Sequence, residues 1–252
     1  MRHIHHHRAA RAFAAVVVLS LTACVADDGP RTGEFAAFGA VHLAPDAPAL
    51  ALYLDDEAQP LVTDLGFTDG TSYAALEAGT YDIALAPADA DRSEAVLEVE
   101  GLSLSDATFY TLVAYGTVDP DDAFPLESLV LAEERAIERS EIAQVRAVHV
   151  APGIGELEVL AVPLDGVAVP IATDLAYGEV ADSVELGSAA SYVFEVVRES
   201  DGQPERLTLG VGTDTSSIVV FVTVDFEGEP LLIGQFDDGS TFASRPVVQQ
   251  AR

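Results

Sequence analysis

The chain has 252 residues, of which 49% are hydrophobic, and a formal net charge of −30. This length is enough for one large domain or two ordinary domains, each with its own core. All twelve basic residues are arginines, against 42 acidic residues. A surface this acidic repels phosphate backbones, so the composition argues against nucleic-acid binding. It favours solubility and weak association with divalent cations or basic partners.

The first 23 residues predict a signal peptide. Arg2, Arg8 and Arg11 form its positive n-region, and residues 10–23 supply an apolar core that is too short to span a bilayer. The histidine cluster near the start lies in this segment, so it receives no role in the mature protein. Removal of residues 1–23 leaves nine arginines against 42 acids, a net charge of −33.

Cys24, the single cysteine, is the predicted site of lipid attachment. It ends the sequence Leu21-Thr22-Ala23-Cys24, which resembles the bacterial lipobox. The resemblance implies cleavage before Cys24, thioether attachment of diacylglycerol and acylation of the new amine. The alternative is an ordinary secretory cleavage site, which would leave Cys24 as a free or intermolecular thiol. Val25 stands where, by the same resemblance, Asp would favour the inner membrane, so we expect an exported protein at the outer membrane or cell surface.

The folded part of the chain begins with a sequence that occurs twice. Residues 40–45 read Ala-Val-His-Leu-Ala-Pro, and residues 147–152 read Ala-Val-His-Val-Ala-Pro, 107 residues later. This spacing is the size of a small domain and predicts a tandem repeat. The predicted segments are a signal peptide 1–23, a tether 24–34, a first repeat 35–131, a linker 132–144, a second repeat 145–240 and a tail 241–252.

Alternating apolar residues and turn residues predict a series of short strands in each repeat. In the first repeat they are 38–44, 49–54, 60–65, 71–76, 80–86, 95–100, 108–115 and 126–131. In the second they are 145–151, 157–164, 190–198, 205–209, 217–224 and 231–236, and residues 173–177 match residues 63–67 at an offset of 110. Residues 132–141 between them are a short helix or an extended connection.

This pattern predicts an all-β fold made of two tandem antiparallel β-sandwich domains of the immunoglobulin-like or transthyretin-like kind. The sequence contains a single cysteine, so internal disulfides cannot hold the mature domains together. Their stability must come from packing.

Residues 40–49, Ala-Val-His-Leu-Ala-Pro-Asp-Ala-Pro-Ala, resemble the opening of the bacterial domain of unknown function 4397. Residues 76–81 and 109–114 resemble a turn and a later strand of the same family. The first repeat has Gly39 where the family usually has Arg, whereas the second keeps Arg146. The resemblance implies a protein that is exported, often lipidated and often built from tandem domains. The family has no established activity, so the resemblance implies architecture and location rather than chemistry.

His42 and His149 are the natural candidates for a functional site, because they are the only histidines after residue 7. One histidine per repeat, without a cysteine partner, is too few ligands for a metal site. We expect each imidazole to hydrogen-bond a neighbouring loop, for His42 the loop that contains Asp46. The acidic clusters match no calcium-binding motif, and no serine-hydrolase or phosphate-binding motif is present. We therefore predict no catalytic, metal or cofactor-binding residues.

These patterns favour a non-catalytic, lipid-anchored envelope protein with a binding, adhesion or scaffold role. Its expected partners are the membrane, through the lipid at Cys24, and an unidentified protein or glycan. One alternative is an envelope hydrolase with a site between the two domains, which would need histidines and carboxylates in a cleft there. Another is an accessory subunit of an envelope complex.

Overall fold

A computed structural model describes residues 34–119, 121–133, 142–187, 191–200, 203–212, 217–244 and 249–250. All of them belong to one compact unit, Gly33–Arg252. The predicted signal peptide, Cys24 and all but the last residue of the predicted tether lie outside the described residues, as do residues 134–141 of the predicted linker. In the described ranges, no helix has the length and apolar character needed to cross a membrane.

The described residues of the first half form eight strands in two sheets. One sheet has the order β4-β1-β7-β8 and the other has the order β3-β2-β5-β6. A 3₁₀ turn at Arg92–Glu94 precedes β6. The strands are β1 Phe35–Leu43, β2 Leu50–Leu54, β3 Val62–Leu65, β4 Ala74–Glu77, β5 Gly79–Pro87, β6 Leu97–Leu104, β7 Phe109–Tyr115 and β8 Glu127–Glu133.

The second half repeats this strand order and adds one strand to each sheet. Its sheets have the orders β12-β9-β15-β16-β17 and β11-β10-β13-β14-β18. Each of β9 to β16 therefore takes the place of the strand eight positions earlier. The strands are β9 Ile142–His149, β10 Leu157–Pro163, β11 Val169–Leu175, β12 Val184–Gly187, β13 Ser191–Ser200, β14 Gln203–Gly212, β15 Ser217–Val224, β16 Pro230–Phe236, β17 Thr241–Ser244 and β18 Gln249–Gln250.

The architecture confirms the predicted all-β sandwich fold. Two strand pairs depart from the antiparallel pattern, because β1 runs parallel to β7 and β9 runs parallel to β15. In both halves the parallel pair places the histidine-containing strand at the centre of its sheet. These central strands are rich in β-branched and aromatic residues, which pack well on a pleated surface.

Two of the four sheets are buried on both faces. Successive side chains of a strand point to opposite faces, and those of β1 join two different cores. Ala36, Phe38 and Ala40 pack inside the first sandwich, whereas Val41 and Leu43 pack against the second half. The second sandwich has its own core around Phe194. The unit is thus a stack of four sheets with three apolar cores between them.

The middle core, which we call the shared core, joins the two halves. It is formed by Val41, Leu43, Val113, Tyr115 and Leu131 from the first half and by Val148, Val150, Val219, Phe221, Leu231 and Ile233 from the second. Hydrogen bonds between described residues also link the halves. Thr223 Oγ1 donates to the Leu43 carbonyl at 3.2 Å, and Thr241 Oγ1 donates to the Thr68 carbonyl at 2.8 Å.

The structure adds strands that the sequence pattern did not predict. Thr241–Ser244, placed in the predicted tail, pairs with β16 as an edge strand, and Val184–Gly187 pairs with β9. Both are short segments in which polar and small residues weaken the apolar alternation. The predicted strand 71–76 begins only at Ala74. Thr71 lies beside β1, where its N–H donates to the Ala40 carbonyl and its Oγ1 accepts from Ala40 N, both at 2.9 Å.

Candidate binding surface

His42 is fully buried at the end of β1, and both of its ring nitrogens are in hydrogen bonds. Nδ1 accepts from the Ala44 N–H at 3.3 Å, and Nε2 lies 3.2 Å from the Pro48 carbonyl. Because a backbone N–H can only donate, Nδ1 must be unprotonated and Nε2 must carry the hydrogen. The side chain therefore fixes the loop after β1, as we expected. Its partner is the Pro48 carbonyl, whereas Asp46 accepts from Val118 N at 3.1 Å.

His149 has the same arrangement at the end of β9. It is also fully buried, its Nδ1 accepts from the Ala151 N–H at 3.3 Å, and its Nε2 lies 3.0 Å from the Gly155 carbonyl. The same reasoning assigns the proton to Nε2. Each histidine is thus neutral, and its hydrogen bonds hold the loop that follows its strand.

The surroundings of both imidazoles favour the neutral form. Burial lowers the pKa of His42 below its ordinary value, although the Pro48 carbonyl and the carboxylate of Asp69 act in the opposite direction. Burial likewise lowers the pKa of His149, against the carbonyl of Gly155. With both nitrogens occupied and no solvent exposure, neither imidazole is placed to act on a substrate.

An aromatic ring covers each histidine, and the two rings come from matching positions. Phe67 lies edge-on to His42 at 6.3 Å, and Tyr177 lies edge-on to His149 at 6.1 Å. These rings end the segments 63–67 and 173–177 that match in sequence. The backbone also matches, since Thr68 N donates to the His42 carbonyl at 2.8 Å and Gly178 N donates to the His149 carbonyl at 2.7 Å.

Both rings also contact the other half of the protein. Phe67 packs edge-on against Phe226 of the second half, with ring centres 5.1 Å apart. Tyr177 packs against Phe124 and Tyr115 of the first half, at 4.9 and 5.6 Å. The two contacts are therefore reciprocal, as at an interface between symmetry-related subunits. We call these five rings the aromatic end.

The hydroxyl groups at the aromatic end differ in their partners. Tyr115 donates to Glu127 Oε2 at 3.1 Å, and burial together with this carboxylate raises the pKa of Tyr115 to about 12. The Tyr177 oxygen is buried and has no hydrogen-bond partner in the described part of the chain, and burial raises the pKa of Tyr177 as well. Arg146 Nε and Gln235 Oε1 are two further buried atoms without partners among the described residues.

Carboxylates surround the aromatic end. Asp46, Asp69, Asp122, Glu127 and Glu227 are all exposed. In the part of the chain that the structure describes, no three His, Cys, Asp or Glu side chains are grouped so that they could hold a metal ion. The end therefore combines apolar rings with negative charge.

The described surface also has clefts away from the aromatic end. One of ≈ 350 Å³ lies on the first sandwich and is lined by Phe38, Asp64 and Ser72 among others. A wider one of ≈ 770 Å³ lies on the second sandwich and is lined by Glu156, Glu158, Asp174 and Arg198 among others. Neither cleft is lined by His42 or His149.

The sequence identified the histidines but not the rings around them. Cys24, the predicted lipid-attachment residue, lies outside the described residues, so its role stays a prediction. Phe67 and Tyr177 are the last residues of the matching segments 63–67 and 173–177, so the sequence indicated that they are equivalent but not that they contact the histidines. Phe226 lies between the predicted strands 217–224 and 231–236, and an aromatic residue between two acids in such a connection is the signal that could have drawn attention to it.

Fold and site together define a β-sandwich protein of two joined halves with an aromatic, acidic end. The family model described as "Domain of unknown function (DUF4397)" matches residues 37–160, which confirms the resemblance to that family seen in the sequence. The match begins within β1, continues through β9 and ends within β10.

Other comparisons add little. No curated protein matches the chain significantly. A solved structure described as "Alpha-glucan binding by a streptococcal virulence factor" is similar over 73% of this chain and 92% of its own, with 11% identity and a TM-score of 0.23. A likeness this distant says nothing about the ligand of this chain.

Proposed function

We propose that this protein is an exported, lipid-anchored envelope protein whose folded body is a non-catalytic binding module. The observation that carries the proposal is the state of the two histidines. Each is buried, neutral and occupied at both nitrogens by a loop that it fixes. The two imidazoles, which were the first candidates for acid–base chemistry, are thus used for structure, while the ring of Phe226 is exposed at the surface.

In this proposal, lipid attached to Cys24 anchors the protein in the membrane. One acyl chain gives only marginal membrane binding, at about 0.8 kcal/mol per buried CH₂, whereas two or three chains hold a protein firmly. The lipobox-like sequence 21–24 would supply such an anchor, and Val25 favours the outer membrane or cell surface. The body would then face a protein or glycan partner.

The hydrolase alternative receives no support from the place where the halves meet. A site between them would need polar groups around a cleft, but the shared core fills this position with apolar side chains such as Val113, Val148 and Phe221. Both histidines lie at the ends of their strands and fix loops of their own halves.

Metabolic labelling with a fatty acid tests the anchor. Labelled wild-type protein in the membrane fraction and unlabelled Cys24→Ala protein are the expected results. Cys24→Ser serves as the matched control, because it keeps a polar group of similar size but cannot form the thioether. Label on either variant would show that the lipid is not attached at Cys24.

Affinity capture tests the binding role. The full-length protein in detergent is mixed with envelope extracts, with and without calcium, and the retained protein and polysaccharide are compared with those on an unrelated acidic protein. We expect a partner that is specific to this protein. Turnover of an envelope substrate by the same preparation, instead of stable retention, would favour the enzyme alternative.

A further inference from the structure

The turn that carries Phe226 is held rigidly. Asp225 Oδ1 accepts hydrogen bonds from Glu227 N at 2.9 Å and from Glu229 N at 3.0 Å. Asp225 N donates to the Glu229 carbonyl at 2.8 Å, and Gly228 adopts φ +81°, a left-handed conformation that suits glycine. The turn therefore fixes the position of Phe226 before any partner arrives, which lowers the entropic cost of binding.

Phe226 is nevertheless 73% exposed. Its counterpart at the reciprocal contact, Phe124, is only partly exposed and packs on Tyr177. The contact between Tyr177 and Phe124 is thus the less exposed of the two. The matching contact between Phe67 and Phe226 is open to solvent, and we call it the open side. A large exposed aromatic ring on a rigid turn is a feature of interaction sites.

The open side is strongly negative. Glu227 and Glu229 share the turn with Phe226, and Asp69 lies two residues after Phe67. All three carboxylates are exposed, and within the described ranges no arginine pairs with them. They are available to a positive group from outside.

The backbone beside Phe67 is strained. Thr68 adopts φ +71°, which is unfavourable for a β-branched residue, whereas the matching position in the second half is Gly178. Such strain is found most often where the conformation serves a site. The carbonyl of Thr68 is also the acceptor for Thr241 Oγ1 of the second half, so the strained residue helps to hold the two halves in register.

We propose that Phe67 and Phe226, with Asp69, Glu227 and Glu229, form a docking surface for a polypeptide segment that carries arginine or lysine. A cationic side chain placed over the face of Phe226 gains a cation–π interaction, and its charge meets the flanking carboxylates. The apolar stem of the same side chain covers the pair of rings. The inference rests on the proposed binding role and is independent of the anchor at Cys24.

Fluorescence anisotropy with a labelled arginine-leucine peptide tests this surface on the full-length protein in detergent. We expect Phe226→Ser to weaken binding by at least about tenfold, as removal of a central aromatic residue does at interfaces. Glu227→Gln combined with Glu229→Gln should weaken binding about threefold to tenfold at low salt and flatten its salt dependence. A glutamate-leucine peptide should not bind.

Two controls separate this surface from general attraction to an acidic protein. Phe35→Ser removes another exposed aromatic residue, which is 45% exposed, and Asp56→Asn with Glu57→Gln removes the same charge from another loop. Both should bind the peptide like the wild type. Equal losses in the controls, or unchanged binding by Phe226→Ser, would overturn the proposal.

Other occupants of the surface would give different results. Dimerisation in sedimentation experiments that Phe226→Ser abolishes would assign the surface to a second copy of the chain and overturn the proposal. Phe226-dependent binding of envelope polysaccharide without peptide binding would also overturn it. If capture from envelope extracts succeeds equally with Phe226→Ser, the binding role stands while the docking surface is rejected.

Discussion

The two buried histidines should make the folded body less stable as the pH falls below about 6.5, the ordinary histidine pKa. Burial lowers the pKa of both His42 and His149 in the folded state. At pH values between the folded and the unfolded histidine pKa, the unfolded chain therefore binds more protons than the folded protein does. The free energy of unfolding is then at its full value above pH 6.5 and is lost as the pH falls toward the folded pKa values.

The size of the effect follows from the number of groups. Each histidine changes the free energy of unfolding by at most about 1.4 kcal/mol per pH unit, so the pair gives at most about 2.7 kcal/mol per pH unit. Variants that lack one histidine separate this contribution from that of the other titratable groups.

Urea unfolding of the full-length protein at a series of pH values and constant ionic strength measures this slope. His42→Gln should lower the free energy of unfolding at every pH, because it disturbs the hydrogen bonds to Ala44 and Pro48. It should also reduce the slope by about half, since one of two titrating groups is gone. His149→Gln should do the same. A slope that stays unchanged in both variants would refute the assignment of two neutral, buried histidines.

Four further predictions concern the shared core, the aromatic end and the acidic surface. Phe221→Ala should lower the free energy of unfolding by about 3–5 kcal/mol and keep a single transition, because Phe221 is fully buried where the halves meet. Two separate transitions in the wild type would contradict a shared core. Tyr177→Phe should raise stability by about 1 kcal/mol in urea unfolding, since it removes a buried hydroxyl without a partner. Thr68→Gly should also raise it, by about 1 kcal/mol, through relief of the left-handed strain; a loss of stability would mean that the threonine side chain compensates for it. Thermal melting with calcium and with a chelator measures divalent-cation binding, and we expect a shift of at most a few degrees, because the acidic loops match no calcium motif.

The strands of the first half could be predicted because turns and alternation mark them clearly. Residues 80–86 alternate, and the structure places the strand Gly79–Pro87 there. The central strands are different. Ser217–Val224 is an almost continuous apolar run, which indicates burial on both faces but does not tell what covers the second face. The answer, the other half of the same chain, depends on contacts between residues far apart in sequence.

The candidate site was predictable only in part for the same reason. The repeated histidine and the matched segments 63–67 and 173–177 indicated a structural unit that occurs twice. The pairing of Phe67 with Phe226 joins residues that are distant in the chain, and no local pattern predicts it. The partner of His42 was expected in the right loop, but a backbone carbonyl carries no signal in the sequence that distinguishes Pro48 from its neighbours.

The shared core has a consequence for biosynthesis. A ribosome adds about 5–20 residues per second, so the second half, with roughly 100 residues, takes about 5–20 seconds to make. During that time the first half presents Val41, Leu43, Val113 and Leu131 as an uncovered apolar sheet face. Such a face is prone to associate with other nascent chains. Production of this protein should therefore depend on holding chaperones until the second half closes over the first.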